Sequence, residues 1–134
     1  MKNLKQGFEV YTELKKIVQK MNYTIEAVIV EGMRDSKAIR LLGFENDIIK
    51  CSSIRFSHTE FVENLSKKYF TITILTDFDK HEMMLNKKLS SDLRQKRVKV
   101  NNIYRKQIKD ILKQNSMRTI ESINKLVILC CKFE

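Results

Sequence analysis

The sequence contains no proline and no tryptophan, and only three glycines among 134 residues. With no Pro-rich or Gly-rich stretch there is no linker, repeat or low-complexity segment, so residues 1–134 read as one domain. Cysteine is scarce as well. Cys51, Cys130 and Cys131 are odd in number and lack a C-x-x-C spacing, which excludes a disulfide framework and fits reduced thiols in a cytoplasmic protein. His58 and His81 do not stand at zinc-ligand spacing to them. The uncharged apolar runs fall far short of the ~20 residues that a membrane span needs. Met1-Lys2-Asn3-Leu4-Lys5 opens an amphipathic pattern with no apolar h-region behind it, so no signal peptide and no membrane partner are expected.

Charge of one sign is also short. The chain carries 26 Lys and Arg against 16 Asp and Glu, a net +10. Between Lys80 and Arg118 twelve basic residues face only Glu82, Asp92 and Asp110, so nearly all the excess lies in the C-terminal part. Concentrated positive charge is the electrostatic footprint of a phosphate-backbone partner, RNA or DNA. A Lys-rich solvated face is the plainer alternative. Arg94-Gln95-Lys96-Arg97-Val98-Lys99 alternates, so only part of it can face one ligand.

The apolar pattern predicts alternating helices and strands. Leu4, Phe8, Tyr11, Leu14, Val18 and Met21 recur at helical spacing, giving a helix over residues 3–21. Strands are expected at 25–30, 47–51, 70–76 and, more exposed, 97–101. Asp35 is expected to cap a helix over 36–42 that Gly43 ends, and Ser57-His58-Thr59-Glu60 reads as a capping box opening a helix to about Lys68. Helices follow at 80–95, with Met83, Met84, Leu89 and Leu93 inward, then at 104–112 and from Thr119 over 120–129. This order predicts an α/β layer fold with a mostly parallel four-stranded sheet flanked by helices. Tyr11, Tyr23, Tyr69 and Tyr104 read as packing or surface residues. The run Leu126–Cys131 is expected to cover the core, or to form a homodimer contact.

Three acids stand just after the buried strands: Glu31 follows Ala27-Val28-Ile29-Val30, and Asp77 and Asp79 follow Thr71–Thr76. Parallel sheets bind ligands beyond the C-terminal ends of their strands. Carboxylates gathered there repel one another unless a cation or shared proton relieves them. Asp77 and Asp79, two apart, can share a face, and Glu31 is within reach if the first and third strands are neighbours. Oxygen ligands alone favour Mg²⁺, with Mn²⁺ next. Surface acids at a strand end are the alternative. Gly32 leaves room for a backbone or a phosphate to approach. Asp35 is either a helix cap or an outer carboxylate reaching the metal through water.

Val30-Glu31-Gly32-Met33-Arg34-Asp35, Ala38-Ile39-Arg40-Leu41-Leu42-Gly43 and Ile74-Leu75-Thr76-Asp77-Phe78-Asp79 together resemble the Toprim domain. That is the catalytic domain of topoisomerases, DnaG-type primases and OLD-type nucleases. The resemblance runs from about Ile25 to Leu112, and Ile120-Glu121-Ser122-Ile123 is similar to the tail of small stand-alone Toprim proteins. It implies a Rossmann-like three-layer fold, with Glu31 as general acid or base and Asp77 and Asp79, with Glu31, at Mg²⁺. It implies a metal-dependent nuclease on RNA or DNA, for which Gly32, Lys37, Lys80, Lys96 and Lys99 are candidate nucleic-acid contacts. A non-catalytic binding module, accessory to a larger processing complex, is the alternative. The chain departs from the family where Glu82 occupies the position usually held by glycine, which makes it a candidate outer ligand beside Asp35. It is too short for a topoisomerase's tyrosine domain or a primase's zinc module.

Overall fold

The computed structural model describes residues 4–53, 57–76 and 80–131, with side chains for all of these except 4, 5, 53, 80–85 and 131. Helix α1 (Leu4–Thr24) leads into strand β1 (Ala27–Val30), helix α2 (Met33–Leu41) and strand β2 (Asp47–Lys50). A 3-10 turn at Cys51–Ser53 precedes helix α3 (His58–Lys68) and strand β3 (Thr71–Ile74). Then come helix α4 (Lys80–Gln95), strand β4 (Lys99–Val100), helix α5 (Ile103–Gln114), a 3-10 turn at Ile120–Ser122 and helix α6 (Ile123–Cys131). The four strands form one sheet in the order β2-β1-β3-β4, and every pairing among them is parallel.

Strand β1 is buried along its whole length, as a parallel strand covered on both faces must be. Val28 and Val30 enter one core with Leu14, Val18 and Met21 of α1, Ile39 of α2, Ile108 and Leu112 of α5, and Ile123 and Val127 of α6. Ala27 and Ile29 enter the other with Phe61, Val62 and Leu65 of α3 and Leu89 and Leu93 of α4. Alternation at period two thus divides one short strand between two helical layers, and the result is a Rossmann-like three-layer α/β fold.

Several local expectations shift for physical reasons. Helix α2 starts at Met33, not after Asp35, because Asp35 stands at its third position and accepts a hydrogen bond from the Gly32 amide at 3.3 Å. The cap is therefore the extended backbone of Gly32, with Asp35 reaching back to it. Gly43 ends α2 as expected, with φ +100°. The fourth strand shrinks from 97–101 to Lys99–Val100, since Arg97 adopts φ +68°, a turn that extended backbone cannot contain. Ser57 caps α3 by accepting from the Glu60 amide, and Thr119 accepts from the Ser122 amide. On α1 the inward face runs through Val10, Tyr11, Leu14, Ile17, Val18 and Met21, while Phe8 is 45% exposed. Leu126, Val127 and Cys130 pack into the first core, which is the covering role foreseen for the terminal run; Ile128 and Leu129 face outward. Tyr11 and Tyr69 are buried and Tyr23 is exposed.

The Tyr69 hydroxyl donates to Asp47 across the start of the sheet, at 2.5 Å. Burial first, and this hydrogen bond second, hold its phenol well above the usual tyrosine range. The folded state therefore keeps the proton more tightly than the unfolded chain. The stabilisation is complete below about pH 10 and is lost as pH rises above it toward the folded value. Tyr69→Phe should flatten the alkaline fall in urea midpoint between about pH 8 and about pH 11; equal slopes in both proteins would refute the assignment.

Candidate functional site

The strand order places a crossover where ligands gather. Chain connections run from β1 to β2 on one side, then return past β1 to β3 and β4 on the other. The order reverses between β1 and β3, so the switch point of the sheet lies between the residues that follow these strands. Glu31 follows β1, and the backbone ladder continues to it, since its carbonyl accepts from the Ser52 amide at 2.8 Å. On the other side the Leu75 amide donates to the Ile29 carbonyl at 2.7 Å. Thr76, next along the chain, is the last described residue before Asp77.

The Glu31 side chain is exposed, beside the N-terminus of α2. A Cβ at Gly32 would meet the Ser52 hydroxyl at 3.4 Å, an ordinary van der Waals contact. Asp35 is buried, 6% exposed, and turned toward the Gly32 amide. Thr76 Oγ1 is buried with no hydrogen-bond partner among the described residues. Asp77 and Asp79 lie outside the described residues, as do the side chains of Lys80, His81 and Glu82. Among the described residues no group of three or more His, Cys, Asp or Glu forms a metal cluster, and the expected Mg²⁺ set needs both aspartates. Its donors are all carboxylate oxygens, and the orphaned Thr76 hydroxyl adjoins them in sequence. This chemistry fits a hard divalent cation.

The candidate basic residues do not converge. Lys37 is exposed on α2, near Glu31 in the chain. Lys99 pairs in register with Thr71, the first residue of β3, so it stands at the opposite edge of the sheet from Glu31. Lys96 precedes it and contacts Glu63 of α3 at 3.0 Å. The same hydrogen bond holds the Glu63 carboxyl below the usual carboxylate range. Neither lysine is placed to reach a ligand at the switch point.

Two residues join the site that sequence patterns did not single out. Ser52 supplies the hydroxyl facing Gly32, and nothing in Cys51-Ser52-Ser53 signals that. Arg105, counted among the phosphate-gripping basic residues, is instead an interior residue at 7% exposure. Its guanidinium donates to the carbonyls of Ile74 and Thr76 at 3.0 and 2.9 Å, which fastens the chain just before Asp77. Its place on the inward face of α5, three residues before Ile108, was the available clue.

No family model matches the chain. A UPF0292 protein of Thermococcus sibiricus is 36% identical over 126 residues, covering 94% of each chain. The chain belongs to the UPF0292 family. Further UPF0292 relatives include those of Pyrococcus horikoshii, 31% identical over 90% of this chain and 88% of the relative, and Methanocaldococcus jannaschii, 31% identical over 86% and 90%. A solved structure of a protein from Aquifex aeolicus superposes with a TM-score of 0.65 at 26% identity, covering 83% of this chain and 95% of that one. The UPF0292 name assigns no chemistry, so the function rests on the residues themselves. Among the described residues no helix of this UPF0292 chain is long and apolar enough to cross a membrane.

Proposed function

We propose that this protein is a Mg²⁺- or Mn²⁺-dependent phosphodiester hydrolase of the Toprim type, acting on RNA or DNA in the cytoplasm. What carries the reading is the placement of Glu31 at the β1/β3 switch point, alongside the strand whose chain runs on into Asp77 and Asp79. Asp77, Asp79 and Glu31 would hold the cation, which when bound polarises a phosphoryl oxygen and lowers the pKa of a water. Glu31, exposed at its strand end, moves a proton at the scissile phosphate. Gly32 leads into α2, whose N-terminal amides can donate to the phosphate. Arg105 fixes the backbone from which the aspartates extend. The excess of Lys and Arg draws in the polyanion.

The test is incubation of structured RNA and of single- and double-stranded DNA with Mg²⁺ or Mn²⁺, with and without EDTA. Cleavage is expected with the metal and absent under EDTA. Binding should weaken steeply with salt, as log K falls by about 0.9 per neutralised phosphate on B-DNA. Tight binding without cleavage would favour the accessory binding module, with Glu82 in the glycine position as its cause. A flat salt response would end the nucleic-acid reading altogether.

A further inference from the structure

A groove of about 450 Å³ opens on the β4 side of the molecule, between α4 and the segment joining β4 to α5. Asn86, Lys87, Ser90, Ser91, Arg94 and Gln95 line it from α4, and Asn102 closes it as the cap position of α5. Lys and Arg are donors only, and the Ser hydroxyls and Asn amides can each donate as well. Among the described residues no carboxylate lines it. Asp92 of the same helix is turned away, 2.6 Å from His58 on α3. Ser90 donates to the Asn86 side-chain oxygen at 3.4 Å, which commits that oxygen and leaves the amide NH₂ as a donor. Arg94 spends one guanidinium N–H on the Val100 carbonyl at 3.2 Å. Its charge is thereby held beside the last residue of β4, with four further N–H groups to offer.

The location adds a direction. Val100 pairs with Ile72 near the start of β3, while Asn102, two residues on, lies toward the sheet edge that carries Glu31. Neighbouring strands are about 5 Å apart and each residue rises about 3.3 Å, so the Asn102 end of the groove lies roughly 10 to 15 Å from Glu31, and the Arg94 end lies farther away. We infer that this groove binds a phosphate of the same nucleic-acid strand whose scissile phosphodiester lies at Glu31. The inference rests on the hydrolase reading for its ligand, but on the groove's own donors for its site. It also takes the place of Lys96, which is held by Glu63, and of Lys99 as the grip on the strand.

Lys87→Gln and Lys88→Gln separate the possibilities, since both lysines are exposed on α4 and only Lys87 lines the groove. Binding of a labelled single-stranded oligonucleotide would be followed by anisotropy in EDTA, from about 50 mM to about 200 mM salt. Lys87→Gln should weaken binding about tenfold and reduce the salt slope by about 0.7, the value for one single-strand phosphate. Lys88→Gln should change affinity less than about twofold. Equal effects of the two changes, or none, would overturn the groove. Inorganic phosphate saturating the groove while the oligonucleotide fails to bind would also overturn it, by making free phosphate the ligand. Cleavage by wild type with unchanged binding by Lys87→Gln removes the groove and leaves the Glu31 site standing. The expected loss of binding without any cleavage supports the groove and ends the hydrolase reading instead.

Discussion

Glu31→Gln should abolish metal-dependent cleavage while leaving the fold and nucleic-acid binding intact. A positioned general acid or base contributes roughly 10² to 10⁴ in rate, so the loss should fall in that range or below detection. Glutamine keeps the shape of the side chain and removes its ability to hold or release a proton. The Glu31 side chain is exposed at a strand end. Thermal stability should therefore move by no more than about 0.5 kcal/mol. The fall belongs in kcat with KM nearly unchanged, because the role exists only as the phosphodiester bond breaks. Asp77→Asn should lose activity differently: both changes weaken a metal ligand, but only Asp77→Asn keeps the proton carrier, so high Mn²⁺ should restore its rate and not that of Glu31→Gln. Cleavage that survives both substitutions would place the activity elsewhere or in a contaminant.

The layer architecture was legible in the sequence because β-branched runs and helical spacing each repeat one period cleanly. Val28 and Val30 against Ala27 and Ile29 supply both faces of a central strand, and α4 begins and ends where its pattern does. Boundaries failed where a backbone angle or a short-range hydrogen bond decided the outcome. Arg97 turns left-handed and truncates β4, and Asp35 folds back onto Gly32 and starts α2 three residues earlier. At the site, the strand-end acids were visible because their position is a property of the chain. The neighbourhood of β1 and β3 was a condition that no linear pattern decided, and their pairing meets it. What no linear pattern carried was the vertical placement of the lysines. Lys96 and Lys99 look contiguous with the site in charge, yet parallel register with Thr71 sends them to the far edge.

Arg105→Ala should be the most destabilising single change near the site, costing about 4 kcal/mol. Strand β4 ends at Val100, so beyond it no strand neighbour among the described residues meets the carbonyls of β3's end on that side. Arg105 substitutes for the missing strand by donating to Ile74 and Thr76 from α5. Truncation leaves two buried carbonyls without that donor, each worth about 1 to 3 kcal/mol when unsatisfied. In a chain of this size the midpoint should drop by roughly 15 °C. Arg105→Lys keeps the charge but not the planar fork, so one of the two bonds is lost and the cost should be about half as large. That milder variant isolates the link to function. It should remain folded at room temperature yet bind Mn²⁺ several-fold more weakly, because the segment entering Asp77 is no longer fixed on both carbonyls. Calorimetry of the folded Arg105→Lys protein with Mn²⁺ reads this directly. Wild-type Mn²⁺ affinity in it would confine Arg105 to the core, and wild-type stability in Arg105→Ala would show that the two carbonyls find other donors.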